Sequence, residues 1–98
     1  MYNYLMLMGI IKNFDNFETS DEIRLEIDVK SEFKNADGVF EITTFDVLVY
    51  GALKELLIEY YKPGDTICFK GHLTKSNNGI VNIVADRFVN LKINEFNT

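Results

Sequence analysis

A single short helix interrupts a chain that otherwise consists of strand-like segments. The strand before the helix ends at Tyr50-Gly51, and the strand after it runs from Thr66 to Gly71. Between them, Ala52–Tyr61 has apolar residues at helical spacing and is followed by Pro63-Gly64, a pair that ends helices. The order strand, helix, strand therefore predicts that one helix connects two strands of the same sheet.

Five segments have the alternation or the apolar runs that indicate strands. The clearest is the second, where apolar residues at the odd positions from Ile23 to Val29 alternate with charged ones. Ser31–Gly38 is predicted to be a polar connection, and Asp37-Gly38 and Asn77-Asn78-Gly79 are predicted to be turns. The predicted strands are Tyr2 to about Asn13, Ile23–Lys30, Val39–Tyr50, Thr66 to about Thr74, and Ile80–Ile93. This order predicts an all-β protein, a five-stranded OB barrel with one short helix between strands three and four.

The same patterns predict which residues face the barrel interior. The helix has one apolar stripe, which we expect to close the open end of the barrel. That stripe consists of Leu53, Leu56, Leu57 and Tyr60. On strands three and four the predicted inward residues are Phe45, Val47, Val49, Ile67, Phe69 and Leu73. A length of 98 residues is sufficient for one such core. We therefore expect a single domain over residues 1–98, with a frayed end from about residue 94.

Four blocks of the sequence resemble the bacterial single-stranded DNA-binding proteins, in the same order and at similar spacing. The first is Asn3–Gly9, an asparagine followed by apolar residues and closed by glycine. The last is Ile83–Phe88, which reads I-V-A-D-R followed by an apolar residue. The middle blocks are an aromatic-glycine pair, a helix, a K-x-G-D turn and a strand that ends in glycine: Tyr50-Gly51, Leu53, Glu55, Glu59-Tyr60, Lys62, Gly64-Asp65 and Gly71. The resemblance covers most of the chain and implies an OB fold that binds single-stranded DNA.

In this family, bases stack on aromatic side chains while lysine and arginine follow the backbone of the strand. The resemblance places Tyr50 at a stacking position at the end of strand three, and Phe33 at another after strand two. The basic residues expected to contact phosphates are Lys12, Arg24, Lys30, Lys34, Lys70 and Lys75. Two alternatives stay open, since Tyr50 could instead cover the start of the helix and Phe33 could fold back onto the barrel rim.

Several departures from the family pattern imply a reduced DNA surface. Thr44 stands where the family has another strand-three aromatic, and Phe45, one position later, is expected to point inward. The hairpin between strands four and five is shortened to Lys75–Gly79, and the sequence has no tryptophan. The family's acidic tail, which recruits partners, has no counterpart in this sequence. These departures imply an accessory, phage or mobile-element variant, or a replication-restart protein.

The net charge works against strong contact with phosphates. Acidic residues number 15 and basic residues 10, which gives a net charge of −5. Surfaces that bind nucleic acids are normally basic. Binding is therefore expected to depend on local clusters of the basic residues, and to be weaker or more selective than in a basic protein.

The sequence contains little that could catalyse a reaction or hold a metal ion. Its one histidine, His72, lies beside Lys70 on the outward side of strand four, and its one cysteine, Cys68, lies between apolar residues. A packed or interface position is the simpler interpretation of each, and no catalytic set can be assembled from them. We therefore predict no enzymatic activity, cofactor, metal or membrane segment. Without a signal peptide or a disulfide framework, a cytoplasmic location is expected.

The first strand is predicted to mediate self-association. Its outward residues would leave an apolar patch on a monomer, and such patches usually mark interfaces. The residues expected at this interface are Tyr2, Asn3, Tyr4, Met6 and Met8. The family resemblance implies a dimer or a tetramer formed through this segment.

Two functional hypotheses follow from the sequence. The first is non-catalytic binding of single-stranded DNA in replication, repair or recombination, with replication proteins as further partners. The second is an OB protein-interaction or replication-restart module with weak or no DNA binding, which the net charge and the missing aromatics favour. Binding to oligo(dT) distinguishes the two.

Overall fold

The computed structural model describes residues 2–15 and 21–89. Its elements are β1 (Leu5–Phe14), β2 (Glu22–Lys34), β3 (Phe40–Tyr50), α1 (Gly51–Tyr60), β4 (Thr66–Lys75) and β5 (Val81–Phe88). The strands form a closed barrel in the order β1-β2-β3-β5-β4, and β4 pairs back onto β1. All neighbouring strands are antiparallel except β3 and β5. This is the OB arrangement, so the predicted fold is confirmed.

The β2–β3 hairpin is longer than predicted. The connection proposed for residues 31–38 is wrong over its first half, because β2 continues to Lys34, which pairs with Phe40 after an irregularity in the ladder. The side chain of Asn35 then organises the turn, accepting hydrogen bonds from the backbone N–H groups of Asp37 and Val39 at 2.9 and 3.1 Å. The predicted turn is confirmed, with Gly38 at a φ of 77°. The predicted end of strand five at residue 93 and the frayed end from about 94 lie outside the described residues.

The barrel interior contains one continuous apolar core. Its members come from all five strands and from α1, and each strand contributes the residues of one parity. They are Ile11, Ile23, Leu25, Ile27, Val47, Val49, Leu57, Ile67, Phe69 and Ala85. Burial of a side chain of this size stabilises the fold by about 1.5–3 kcal/mol. Leu73, which was predicted to point inward, is 44% exposed because it lies close to the end of β4, beyond the buried layer.

The apolar stripe predicted for α1 is only half correct. Leu57 is fully buried and Leu53 packs on the core, but Leu56 and Tyr60 are 44% and 65% exposed. The buried face is rotated toward Lys54, which is only 5% exposed, and the apolar residues alone could not predict a lysine there. In the part of the chain that the structure describes, no helix is long and apolar enough to cross a membrane.

Two glycines allow neighbouring strands of the barrel to approach closely. A Cβ atom on Gly9 would lie 2.3 Å from the carbonyl oxygen of Asp28, and one on Gly71 would lie 2.2 Å from that of Val84. Any side chain at these positions would collide with backbone of the neighbouring strand. The glycines that end two of the sequence blocks therefore have a direct structural role.

Tyr61, directly after α1, links the pH dependence of stability to the core. Burial raises the pKa of Tyr61 above its ordinary value of 10.0, and electrostatic interactions with Asp65 and Cys68 raise it further. Its ring packs edge-on against Phe88, with the centroids 5.4 Å apart. Because the unfolded chain ionises first, this contribution to the free energy of unfolding is complete below pH 10.0 and is lost as pH rises toward the folded pKa.

We expect Tyr61→Phe to keep the ring contact with Phe88. The free energy of unfolding of this variant should fall less above pH 10 than that of the wild type, because the variant has no hydroxyl to ionise. The measurement is urea unfolding at neutral pH and at a series of values up to about pH 11, beyond the usual tyrosine pKa. Tyr60→Phe is the matched control, since Tyr60 is 65% exposed. An unchanged pH dependence in Tyr61→Phe would contradict the prediction.

Candidate nucleic-acid interface

The outer face of β2 and β3 is the broadest surface on which predicted site residues meet. Along this face the side chains of the two strands lie opposite one another in register. The pairs are Glu22 with Tyr50, Arg24 with Leu48, Glu26 with Asp46, Asp28 with Thr44, Lys30 with Ile42, and Lys34 with Phe40. At about 3.3 Å per residue, the face is roughly 33 Å long. Aromatic and basic residues stand toward its two ends and three acidic residues occupy the middle, while a further acid, Glu22, lies opposite Tyr50 at one end.

One end of this face carries an aromatic and basic group that we call the hairpin cluster, formed by Lys30, Lys34 and Phe40, and Phe33 precedes Lys34 in the same hairpin. The ammonium nitrogens of Lys30 and Lys34 lie 4.4 and 5.6 Å from the centroid of the Phe40 ring. Both distances are within the range of cation–π attraction. Phe33 is 80% exposed and therefore does not fold back onto the barrel rim. The ring that both lysines approach is that of Phe40, which is 37% exposed.

Phe40 was missed by the sequence reasoning. It was assigned to the start of a strand without a role, because the residues opposite it were predicted to be a loop. The signal lay in the hairpin itself, since counting outward from Asp37-Gly38 brings Lys34 close to Phe40. A register counted from the turn would have shown that this ring lies among lysines.

Tyr50 lies at the opposite end of the face, where β3 gives way to α1. Gly51 has a φ of 58°, so the chain turns sharply between the strand and the helix. Tyr50 takes the N-cap position in an extended conformation but makes no capping hydrogen bond through its side chain. Its side chain remains 44% exposed, diagonally across the ladder from Arg24. Covering the helix start therefore leaves nearly half of the residue accessible to a base.

A groove opens between β3 and the β4–β5 hairpin. β3 and β5 pair over only Val47 with Ile83 and Leu48 with Val84, so the first half of β3 separates from the hairpin. The space between them has a volume of about 540 Å³. The turn of the hairpin is fixed by Gly79, at a φ of 84°, and by the backbone N–H of Ser76, which donates to the carbonyl of Ile80 at 2.9 Å. We call this space the hairpin groove, and its lining residues are Arg24, Thr44, Phe45, Asp46, Leu48, Ser76, Asn78, Ile80, Val81, Asn82 and Ile83.

Three carboxylates divide the face, and we call them the acidic belt: Glu26, Asp28 and Asp46. Glu26 and Asp46 are directly opposite each other across the ladder. Asp28 accepts a hydrogen bond of 2.5 Å from the hydroxyl of Thr44. Thr44, which replaces an aromatic of the family pattern, therefore positions an acid. Phosphates held against the middle of this face would meet like charges.

The six predicted basic residues do not form one patch. Lys30 and Lys34 lie in the hairpin cluster, and Arg24 lines the hairpin groove. The other three are dispersed: Lys12 is exposed at a bulge in β1, Lys75 ends β4, and Lys70 pairs with Met6 and Arg87 on the far side of the barrel. The structure thus brings three of the six onto the β2–β3 face.

The predicted oligomer residues lie on the outward side of β1, at Met6 and Met8, and in the segment directly before it, at Tyr2, Asn3 and Tyr4. Tyr2, Tyr4, Met6 and Met8 are 90%, 75%, 55% and 57% exposed, as expected for an isolated chain. Ile10, which was not predicted, continues the row. The side chain of Asn3 is already engaged within the chain, where it donates to the carbonyl of Leu73 at 2.7 Å and accepts from its N–H at 3.0 Å. Whether a second copy covers the row stays a prediction.

Cys68 and His72, the two residues considered for chemistry in the sequence, have the contacts of structural residues. Cys68 is 5% exposed and is a free thiol packed in the barrel wall. His72 is half-buried, and its Nδ1 atom lies 2.8 Å from a carboxylate oxygen of Asp86 on the neighbouring strand. Within residues 2–15 and 21–89, no three His, Cys, Asp or Glu side chains are placed to hold a metal ion. The absence of enzymatic activity stays a prediction.

Comparison by sequence gives no relative. No family model matches the chain. No curated protein is significantly similar to it in sequence.

Comparison by structure gives many proteins of similar fold at low sequence identity. A small single-stranded DNA-binding protein from Mycoplasma pneumoniae matches with a TM-score of 0.75 at 20% identity, over 94% of this chain and 97% of that one. The protein PriB from Ralstonia solanacearum matches with a TM-score of 0.73 at 11% identity, over 93% and 99%. The Plasmodium falciparum SSB in complex with single-stranded DNA matches with a TM-score of 0.67 at 16% identity, over 92% and 96%. The chain therefore has, over nearly its whole length, the OB fold of the small single-stranded DNA-binding proteins that its sequence resembles.

Proposed function

We propose that this protein binds single-stranded DNA, without catalysis, along the outer face of β2 and β3. One observation carries the proposal: exposed rings stand at both ends of this face, and each is close to a basic side chain. Tyr50 lies diagonally from Arg24, and the Phe40 ring, which is 37% exposed, lies beneath Lys30 and Lys34. The fold shared with small single-stranded DNA-binding proteins supports the proposal, and one of these relatives was solved with single-stranded DNA.

The physical basis is stacking combined with local neutralisation of phosphates. Each stacked base contributes about 1–3 kcal/mol, and the contact tolerates any sequence because every base has a π-face. Lysine and arginine add contacts with phosphates, which release counterions. Because the acidic belt repels phosphates, the strand must turn its bases toward the middle of the face and keep its phosphates outside. We therefore propose moderate affinity, with DNA replication, repair or recombination in the cytoplasm as the setting.

The test is a titration of labelled oligo(dT) with purified protein, followed by fluorescence anisotropy at low and high salt. An oligonucleotide of about 35 nucleotides offers room for at least two OB domains at about 4–16 nucleotides each. We expect saturable binding at low salt, and weaker binding to a duplex of the same length. No binding to oligo(dT) at low salt would contradict the proposal.

A second function, a protein-interaction module, is favoured by the acidic belt. Its carboxylates give the middle of the face a negative charge, and the exposed apolar residue Ile42 is diagonal to Asp28 across the ladder. A basic protein segment would be complementary to this surface. This function becomes the better one if oligo(dT) does not bind.

The hairpin cluster predicts the salt dependence of binding. With about 3–5 phosphates neutralised per subunit, the slope of log K against log salt is expected to be roughly −2 to −3.5. Lys30→Ala and Lys34→Ala should each weaken binding modestly and make the slope shallower by about 0.7 or less. Lys62→Ala is the matched control, since Lys62 is exposed after α1, where it pairs with Asp65 at 3.5 Å. Slopes that are equal in all three variants and the wild type would contradict the role of the cluster.

We also propose that the outward row of β1 is covered by a second copy of this chain. The row consists of exposed apolar side chains along one strand, and a large exposed apolar patch usually marks an interface. A dimer or a larger oligomer would join two DNA-binding faces in one particle.

A further inference from the structure

We propose that the hairpin groove recognises a nucleobase, and that its preferred base is guanine. This inference rests on the proposed binding of single-stranded DNA and adds a base preference to it. The observation behind it is that an arginine and an aspartate with no partner among the described residues line the same groove.

Arg24 and Asp46 are neighbours on the face, but they do not form an ion pair with each other. Arg24 is opposite Leu48 in the ladder, so Asp46 is its diagonal neighbour. The backbone positions of diagonal neighbours in an antiparallel pair are about 7–8 Å apart. Within the described residues neither side chain makes an ion pair or a hydrogen bond. Both are exposed at the groove surface. A ligand that bridges the gap would therefore find a guanidinium and a carboxylate available together.

Guanine matches this pair of groups better than the other bases. Its O6 and N7 atoms accept the two parallel hydrogen bonds that an arginine fork donates. Its N1–H and N2–H₂ groups stand side by side and donate to the two oxygens of a carboxylate, which is an acceptor only. Adenine, cytosine and thymine each lack this pair of adjacent donors. Only guanine can form two hydrogen bonds with each of the two side chains.

The rest of the groove fits a base bound in this way. Leu48, Ile80 and Val81 supply apolar contacts for the ring faces, and the amides of Asn78 and Asn82 can bond to sugar or phosphate. The volume of about 540 Å³ lies within the range of about 300–1,000 Å³ that is typical of ligand sites. Tyr50 is two residues from Leu48 along β3, on the same face. A base stacked on Tyr50 would thus be adjacent in the strand to the base in the groove.

The first test compares oligonucleotides of equal length on the wild-type protein. One is oligo(dT), and the other carries isolated guanines in a thymine background, which avoids guanine quadruplexes. We expect the guanine oligonucleotide to bind about 5- to 150-fold more tightly, the range for one or more specific base contacts. Hypoxanthine, which lacks the N2 amine, and 7-deazaguanine, which lacks the N7 acceptor, should each lose part of this preference.

The second test uses charge-matched variants. Asp46→Asn should bind oligo(dT) at least as tightly as the wild type, because a negative charge is removed from the face, and should lose most of the guanine preference. Glu26→Gln removes the same charge from the same face, at a residue directly opposite Asp46 that does not line the groove. It should therefore keep the preference. Loss of the guanine preference without loss of oligo(dT) affinity would distinguish recognition of the base from general repulsion of phosphates by the carboxylate.

The possible outcomes separate this inference from the proposed function. Equal affinity of the wild type for both oligonucleotides would overturn the guanine preference and leave single-stranded DNA binding intact. A preference that Asp46→Asn retains would also overturn the assignment to the groove. Failure to bind either oligonucleotide would overturn both proposals.

Discussion

Replacing Tyr50 with alanine is expected to weaken oligo(dT) binding by about 1–3 kcal/mol, or about 5- to 150-fold, at any salt concentration. The Tyr50 side chain is 44% exposed at one end of the β2–β3 face, so its loss removes a stacking surface. The slope of log K against log salt should not change, because a neutral ring displaces few counterions. Stacking and phosphate contact are thereby separated in one titration.

The measurement compares Tyr50→Ala with two further variants over a series of salt concentrations. Tyr50→Phe keeps the ring and should bind nearly as tightly as the wild type. Tyr60→Ala removes an exposed tyrosine from the outer side of α1 and should leave binding unchanged. Thermal unfolding of each variant verifies that the barrel remains folded. If Tyr50→Ala binds as tightly as the wild type, the stacking face lies elsewhere even though the fold is right.

The fold could be predicted from the sequence because its signals are local and agree with one another. The alternation from Ile23 to Val29 marks one strand without ambiguity, and the helix between two strands restricts the topology. The face of the helix that packs on the barrel could not be predicted in the same way. Apolar residues occur on several sides of α1. Because a lysine is expected to be exposed, the buried Lys54 led to a predicted stripe that includes the exposed Leu56 and Tyr60. Which side of such a helix is buried depends on the barrel, not on the helix alone.

The candidate site could be predicted only in part, because charge clusters depend on strand register. Glu26 and Asp46 are 20 residues apart in the sequence and directly opposite in the barrel. The acidic belt was therefore invisible before the register was known. Lys70 was grouped with the other basic residues for the same reason, although it pairs with Met6 on the β1 side. Residues placed by the family resemblance, such as Tyr50, needed no register.

The acidic belt changes how the net charge should be interpreted. A net charge of −5 spread evenly would weaken binding everywhere on the surface. Here three of the acids lie between two groups of aromatic and basic residues. Phosphates are therefore disfavoured at the middle of the face and favoured at its ends. This arrangement orients a strand with its bases inward, which is the orientation that stacking requires.

Changing Met6 and Met8 together to glutamate is expected to convert the protein to a monomer. Both side chains are more than half exposed in the isolated chain and lie in the apolar row of β1. If a second copy covers this row, the carboxylate at position 8 would be buried with no basic residue opposite it, at a cost of about 3–5 kcal/mol. The carboxylate at position 6 would lie opposite Lys70 and adds a second charge to the apolar row. Light scattering across the micromolar range should give the mass of a dimer or tetramer for the wild type and of a single chain for the variant.

The matched control changes Val39 and Ile42 to glutamate. These residues are 56% and 68% exposed and apolar, but they lie at the β2–β3 hairpin. The control should keep the oligomeric state of the wild type. A wild-type protein that is monomeric at all these concentrations would contradict the interface.

The variant with glutamate at Met6 and Met8 also tests whether self-association contributes to DNA binding. An oligonucleotide long enough to reach two faces gains from the second contact, by about 10²- to 10⁴-fold when the geometry permits both. A short oligonucleotide that fills one face gains nothing from it. The Met6 and Met8 variant should therefore bind a short oligo(dT) like the wild type and lose affinity only for a long one. Equal losses on both lengths would mean that β1 itself contacts DNA, and Lys70, opposite Met6, would then be the first residue to test.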